Sequence, residues 1–292
     1  MICNLCPRRC GAPRDETHGE GWCRMPDALT VARAALHMWE EPCLSGTNGA
    51  GTVFFSGCTL GCVFCQNGQI SHENYGKVVT EGRLYEIFAG LAAQGAHSIE
   101  LVTPTQFTHI LSRVLERPVP GGLPVVWNSG GYESLSALRT LEGKVDIYLP
   151  DLKYVTPEKG ARYSAAADYP EAAKAAVLEM YRQRGPARFE GELLKSGVII
   201  RHLLLPGGLA EAKRVMDWVS EQFPPGAVLF SLMAQYTPMG DLSACPEIRR
   251  SLRPSEARAA RQYMADVGLS GYVQDLESTG EGFIPAFDLT GL

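Results

Sequence analysis

Three cysteines stand close together on a glycine-rich stretch of this 292-residue chain. Cys58, Cys62 and Cys65 fall in "FFSGCTLGCVFC", directly after an apolar run. A cubane [4Fe–4S] cluster usually takes four thiolates, so three thiolates leave one iron with an open coordination position. An open metal position is typical of catalytic rather than structural centres. The residues alone also allow a zinc knuckle that borrows a ligand from elsewhere, or plain buried thiols.

Four more cysteines lie near the N-terminus, in a segment rich in glycine and proline. Their spacing is Cys-x2-Cys-x3-Cys-x12-Cys, formed by Cys3, Cys6, Cys10 and Cys23. Four thiolates at such intervals could hold a structural zinc ion or a closed auxiliary [4Fe–4S] cluster, and the spacing does not choose between them. A cluster of metal-free thiols is the third interpretation.

The number and clustering of the nine cysteines favour a reducing cellular compartment. Their number is odd and most of them are clustered, whereas a secreted disulfide framework is usually even and in a shorter chain. No apolar stretch approaches the roughly 18 residues of a membrane span, and the N-terminus lacks the apolar core of a signal peptide. The net charge of −5 argues against nucleic acid as the main partner. We therefore expect a cytoplasmic protein that binds neither membrane nor nucleic acid.

Beyond residue 50, short apolar runs alternate with amphipathic stretches, which predicts an α/β fold built on a parallel sheet. The runs that read as buried strands cover 51–57, 98–103, 123–128, 145–150, 197–205, 227–233 and 271–276. Helical spacing appears at 84–91, 107–115, 135–141, 170–184 and 209–219. Residues 30–41 could be helix or strand. The order favours a parallel, partial βα-barrel over residues 51–292, preceded by a Cys-rich metal-binding segment over residues 1–50. In such folds reactive groups lie on the loops that leave the carboxyl ends of the strands.

Several motifs in register carry a resemblance to a known family. The stretches "EEPCLSG", "FFSGCTLGCVFCQN", "NSGGY", "DIYLPDLKY", "RHLLLPGG", "SLMAQYTP" and "PEIRRSL" occur in the order associated with proteins similar to pyruvate formate-lyase-activating enzyme. The chain thus resembles the radical S-adenosylmethionine (SAM) superfamily, in the subgroup that has an N-terminal cysteine cluster.

The resemblance implies an oxidoreductase-type enzyme. In that superfamily the open iron of a site-differentiated [4Fe–4S] cluster chelates the amino and carboxylate groups of SAM. An electron from a donor of the flavodoxin or ferredoxin type then cleaves SAM to methionine and a 5′-deoxyadenosyl radical, which abstracts hydrogen from a substrate. Such chemistry needs a low-potential electron, an open metal position and a dry pocket.

The same resemblance assigns residues. Cys58, Cys62 and Cys65 match the cluster ligands, and Phe64 matches the aromatic residue near the adenine of SAM. Asp151 and Lys153, in "DLK", match the pair that contacts the methionine portion, where a lysine can bind a carboxylate by a charge-assisted hydrogen bond.

Asn128 is expected to face the cofactor from the end of a strand. Arg201 and His202 interrupt an apolar strand, and a buried pair of this kind needs partners. We expect them to bind cofactor or substrate, with a purely structural pair as the alternative. In this family a Gly-Gly-Glu-like turn binds the SAM amino group, but "LVTPTQF" at this position does not contain one. The contact to the SAM amino group is therefore unassigned, and Thr103 and Thr105 are the candidates for it.

The substrate is left open by these motifs. One alternative is an activating enzyme that installs a glycyl radical on a partner enzyme of the pyruvate formate-lyase kind. Another peptide or a small molecule is the competing substrate class. An alternative from a different functional class is that the chain is a zinc-stabilised, non-catalytic scaffold protein.

Overall fold

A computed structural model describes residues 1–274 and 285–292. The strands are β1 Ile2–Cys3, β2 Ala12–Pro13, β3 Leu29–His37, β4 Ala50–Phe55, β5 Lys77–Val79, β6 Ile99–Val102, β7 Val125–Ser129, β8 Ile147–Pro150, β9 Arg188–Glu190, β10 Leu193–Leu203, β11 Leu229–Met233 and β12 Gly271–Val273. The α-helices are α1 Pro42–Ser45, α2 Gly68–Ser71, α3 Glu81–Ala93, α4 Thr108–Val114, α5 Leu135–Arg139, α6 Pro157–Ser164, α7 Tyr169–Arg184, α8 Leu209–Gln222 and α9 Pro254–Asp266. Short 3₁₀ turns cover Thr105–Phe107, Pro120–Gly122 and Pro246–Ile248.

Ten strands of the described residues form one sheet, in the order β12-β11-β10-β8-β7-β6-β4-β3-β5, with β9 paired to β10. All neighbours from β4 to β12 in this order are parallel. The parallel strands are mostly apolar, as expected where helices cover one face of the sheet. The sequence-based prediction of a largely parallel α/β fold is therefore confirmed. Of the predicted strand 271–276, residues 275 and 276 lie outside the described residues.

Residues 29–37 form a strand rather than a helix. β3 pairs antiparallel with β4, from Val31 opposite Phe55 to His37 opposite Ala50. It also pairs antiparallel with β5. The main sheet thus starts within the first 50 residues. The four N-terminal cysteines all precede β3, in a segment whose regular structure is the short β1–β2 pair.

One arginine fastens this N-terminal segment to the rest of the molecule. Arg8 donates hydrogen bonds to the carbonyl oxygens of Thr59 (2.9 Å), Ala165 (2.6 Å) and Ser164 (3.3 Å). Its guanidinium also lies 3.9 Å from the centre of the Trp22 ring, within cation–π range. Arg8 therefore joins the N-terminal segment to the loop between Cys58 and Cys62 and to the end of α6. No helix in the part of the chain that the structure describes is long and apolar enough to cross a bilayer.

Candidate functional site

The inner face of the sheet lines a cavity of about 690 Å³. Its walls come from the carboxyl ends of the parallel strands, from the three-cysteine loop and from the segment that follows β3. Nine of the residues proposed from sequence lie here, namely Cys58, Cys62, Cys65, Phe64, Thr103, Asn128, Asp151, Lys153 and Arg201. The structure thus brings side chains from five separate segments to one space, as expected for the carboxyl edge of a parallel sheet.

The three-cysteine loop leaves β4 through a turn that requires glycine. Gly57 has a φ of +75°, and a Cβ there would stand 2.4 Å from the Met25 side chain. Within the loop, the Val63 amide donates to the Tyr163 carbonyl (2.9 Å), which fixes the loop to α6. Backbone conformation and packing therefore both hold this loop against its neighbours.

Each of the three thiols has a polar neighbour. The Leu60 amide donates to Cys58 Sγ (3.4 Å) and Ser71 Oγ donates to Cys65 Sγ (3.2 Å). Cys62 Sγ lies 3.0 Å from Ser164 Oγ. Groups that can donate to sulfur stabilise thiolates and tune iron–sulfur centres, so these neighbours suit metal ligation.

The electrostatics of the loop favour a cationic centre between the sulfurs. Burial raises the pKa of Cys58, and the neighbouring Cys62 and Cys65 thiolates raise it further. Burial likewise raises the pKa of Cys62, although the Lys153 ammonium opposes this. Buried thiolates that repel one another need a compensating positive charge, which metal ions provide. The donor set thus fits an iron–sulfur cluster held by three cysteines.

Asp151 is the centre of an ionic network beside this loop. Lys153 Nζ donates to its Oδ2 (2.5 Å) and Arg201 Nε donates to its Oδ1 (3.0 Å). Burial alone would raise the pKa of Asp151, but the two cations outweigh it and lower this pKa below its usual value. Asp151 is therefore ionised and holds both cations in the cavity wall.

The network continues through Asn128 to a buried carboxyl group. Arg201 Nη2 donates to Asn128 Oδ1 (2.5 Å), and Asn128 Nδ2 donates to Glu100 Oε1 (2.6 Å). Burial raises the pKa of Glu100 well above its usual value, and the nearby Glu40 carboxylate adds to this. Arg201 also lies 3.5 Å from Glu40, measured from Nη1 to Oε2. Asn128 and Arg201 thus form a rigid cavity wall.

Phe64 and the two threonines occupy different environments. Phe64 is buried and meets the Tyr236 ring edge-on at 6.0 Å, on the cavity wall. Thr103 lines the cavity at the end of β6 with a φ of +56°, an unusual conformation for a β-branched residue. Thr105 is buried away from the cavity and donates to Glu133 Oε1 (2.7 Å).

His202 and Arg201 point to opposite faces of the sheet because they are consecutive residues of β10. Successive side chains of β10 point to opposite faces, so Arg201 reaches the cavity while His202 packs on the other side. There its Nδ1 lies 2.8 Å from the Leu152 carbonyl oxygen, and burial lowers its pKa. The structure therefore does not bring His202 to the cavity, and a role in binding stays a prediction.

The four N-terminal cysteines lie near one another. Burial raises the pKa of Cys6 to about 12, and Cys23, Cys10 and Cys3 add to this by repulsion. The Trp22 amide donates to Cys10 Sγ (3.3 Å). Within residues 1–274 and 285–292, no three His, Cys, Asp or Glu side chains stand ready-arranged around a single metal ion. The ligand roles of both cysteine groups remain predictions.

The sequence-based reasoning missed several polar residues of the cavity. Five of its lining side chains carry a buried oxygen atom that has no hydrogen-bond partner within residues 1–274 and 285–292, namely Glu41, Asn67, Ser231, Gln235 and Gln274. The acidic pair in "EEPCLSG" was the available signal for Glu40 and Glu41, but nothing local indicates that this segment reaches the cavity. Unsatisfied buried oxygens concentrated in one cavity are typical of a ligand site.

Comparisons with known proteins agree with this architecture. An uncharacterized protein of Methanocaldococcus jannaschii is 29% identical over 266 residues, which cover 88% of this chain and 72% of that protein. No protein-family model matches the chain.

Two solved structures share its fold at low sequence identity. Streptococcus suis SuiB, bound to its precursor peptide SuiA, is 11% identical with a TM-score of 0.51, over 75% of this chain and 47% of SuiB. The chain thus spans about half the length of SuiB. Spore photoproduct lyase, complexed with dinucleoside spore photoproduct, is 12% identical with a TM-score of 0.51, over 75% of this chain and 74% of the lyase. Both are radical SAM enzymes. The chain therefore has the radical SAM fold, a partial βα-barrel with a cysteine-rich N-terminal extension.

Proposed function

We propose that the chain is a radical SAM enzyme. The observation that carries this proposal is the meeting of three cysteine thiols with an ionic network at one cavity, at the carboxyl edge of a radical SAM fold. When bound to Cys58, Cys62 and Cys65, a [4Fe–4S] cluster would supply the low-potential electron that cleaves SAM and starts hydrogen abstraction from the substrate.

The chain's own residues would bind and orient SAM. Lys153 is fixed by Asp151, so its remaining N–H groups are available to a carboxylate. Phe64 offers an apolar surface for a flat base. Arg201 and Asn128 hold the wall in place through their hydrogen bonds to Asp151 and Glu100. Substrate and SAM bound together in this cavity would exclude water from a reactive radical.

The N-terminal cysteines are proposed to hold a second metal, either zinc or a closed [4Fe–4S] cluster. The proximity of the four cysteines supports this, because a metal held by four thiolates needs its ligands close together. A flavodoxin- or ferredoxin-type protein would donate the electron. All nine cysteines lie in the described part of the chain as free thiols, which suits a reducing compartment such as the cytoplasm.

The substrate class is the finer part of the proposal. A peptide is the first alternative, because the fold is shared with SuiB, which is bound to a precursor peptide. Activation of a glycyl-radical enzyme is the specific form suggested by the sequence motifs. A small molecule is the second alternative.

The test begins with anaerobic purification and analysis of iron, sulfide and zinc. The reduced protein is then incubated with SAM, and 5′-deoxyadenosine is followed by chromatography. We expect nucleoside formation that is lost in Cys58→Ala and retained in Cys245→Ala, since Cys245 is buried away from the cavity. About eight irons per chain instead of about four would assign a second cluster to the N-terminal site.

The opposite outcome is equally clear. If the protein contains zinc without iron and forms no nucleoside after cluster reconstitution, the proposal of a radical SAM enzyme is refuted. A zinc-stabilised, non-catalytic scaffold is then favoured.

A further inference from the structure

The cavity has an acidic end that is distinct from the cysteine loop. β3 runs antiparallel to β4, so the segment after His37 lies beside Ala50, at the opposite end of β4 from Cys58. Glu40 and Glu41 belong to this segment, and both line the cavity. Two carboxyl groups therefore enter the cavity from the end of the sheet that faces away from the cysteine loop.

The Glu41 side chain presents a hydrogen-bond acceptor that no described residue uses. Glu41 is only 3% exposed, and its Oε2 has no hydrogen-bond partner among the described residues. A buried carboxylate oxygen without a partner is costly, because it has lost water and gained nothing in exchange. Such an atom facing a cavity favours a ligand that donates hydrogen bonds.

Among the charged side chains that interact around Arg201, carboxyl groups outnumber cations. Four carboxyl groups, of Glu40, Glu41, Glu100 and Asp151, act on Arg201. Arg201 and Lys153 are both engaged by Asp151. Burial raises the pKa of Glu40, and the nearby Glu41 and Asp151 carboxylates oppose its ionisation as well. A positive charge on a ligand would offset this crowding of carboxylates.

Neighbouring unpartnered atoms have the same hydrogen-bonding character. Gln235 Oε1 and Gln274 Oε1 are acceptors, and Ser231 Oγ can accept as well; none has a partner in the described structure. Ser231 is opposite Arg201 on one side and opposite Tyr272 on the other in the parallel register. Ser231 lines the same cavity as Glu41 from within β11, and Gln235 and Gln274 line it from beyond the carboxyl ends of β11 and β12.

We propose that the substrate of the radical reaction carries a protonated amine or a guanidinium group, which Glu41 binds at the end of the cavity remote from the cysteine loop. This inference rests on the proposed function, because it names the substrate class of the same cavity. A basic side chain of a peptide and a small diamine share the required chemistry. The ammonium group of SAM is the competing occupant.

The experiment measures binding rather than turnover. Calorimetric titrations of the reconstituted protein with SAM present use two cations, 1,5-diaminopentane and a blocked Gly-Lys-Gly peptide. Their neutral counterparts are 1-pentanol and a blocked Gly-norleucine-Gly peptide. We expect at least one cation to bind about tenfold or more tightly than its neutral counterpart, and Glu41→Gln to remove about tenfold of that affinity, as charged hydrogen bonds do. Preference for the diamine or for the lysine peptide identifies the source of the group.

Two controls separate the possible explanations. Glu73→Gln, at an exposed carboxylate outside the cavity, should bind the cations as the natural chain does. Equal binding of cations and neutral counterparts to the natural chain would overturn the inference even if Glu41→Gln failed to fold. SAM affinity is measured on the same samples. A loss of SAM affinity in Glu41→Gln that matches the loss for the cations would assign Glu41 to SAM, which also overturns it. Neither result would argue against the proposed radical SAM function. That proposal is refuted only if the protein lacks iron and does not cleave SAM.

Discussion

Gly131 offers the sharpest test of how the cavity wall is held. It has a φ of +75°, and a Cβ there would stand 2.2 Å from the Asp151 carbonyl oxygen, where contacts below 3.0 Å essentially do not occur. Gly131→Ala must therefore displace the backbone of Asp151. Gly143 is the matched control, since its φ is +79° and its Cβ would meet nothing within 4 Å.

Both variants place an alanine in a left-handed backbone conformation, but only Gly131→Ala also creates a steric clash. A left-handed backbone conformation costs an alanine about 1–2 kcal/mol at either position. Overpacking adds about 1–3 kcal/mol at Gly131 only. We therefore expect Gly143→Ala to lower the free energy of unfolding by about 1–2 kcal/mol and Gly131→Ala to lower it by about 2–5 kcal/mol. Guanidinium denaturation of the natural chain and both variants measures the difference.

The same displacement should reach the site. The Asp151 carbonyl accepts a hydrogen bond from Tyr169 Oη (2.7 Å), and the Asp151 carboxylate holds Lys153 and Arg201. Moving this backbone should weaken SAM binding in Gly131→Ala but not in Gly143→Ala, because misplacement by about 1 Å is enough to affect a site strongly. Equal losses of stability in the two variants, with SAM affinity intact in both, would refute this account of the wall.

Two further predictions concern a surface ion pair and a strained residue. Arg162 lowers the pKa of Glu247 to about 2, below the value of about 4.3 in an unfolded chain. The stabilisation is therefore complete above that unfolded value and is lost as pH falls towards 2. The difference in unfolding free energy between the natural chain and Glu247→Gln should shrink over this range, and a constant difference would contradict the assignment. Thr103→Gly should raise the free energy of unfolding by about 0.5–1 kcal/mol, because glycine relieves the φ of +56° and loses part of the gain through a more flexible unfolded chain. Thermal unfolding checks this, and a clearly destabilised variant would show that the Thr103 side chain is needed for packing.

The elements of the fold followed from local patterns. The strands at 98–103 and 123–128 were predictable because a strand buried on both faces is a continuous apolar run, and β6 and β7 lie there. β3 was ambiguous, because "LTVARAALH" combines apolar residues with good helix formers, and only its pairing with β4 makes it a strand. Pairing of distant segments is not visible in local sequence.

The candidate site was predictable only in part, for a similar reason. The residues that end parallel strands, such as Asn128 and Asp151, meet because the topology brings those ends together. The alternation of side chains in β10 could have separated Arg201 from His202, had the strand's orientation been known. Glu41 could not be placed, because its position depends on β3 and on a long-range approach to the cavity.

The attachment of Arg8 bears on the order in which the protein assembles. Arg8 is synthesised before its partners Ala165 and Ser164, which follow it by 157 and 156 residues. At about 5–20 residues per second, roughly 8–30 s of translation separate the arginine from these carbonyl groups. During that interval the N-terminal segment lacks the contacts of Arg8 with Ser164 and Ala165, although Arg14 can already donate to the Gln106 carbonyl. A metal that the N-terminal thiols acquire early must therefore be held by a segment that is only partly attached, so translation itself gives the two cysteine groups different opportunities to be filled.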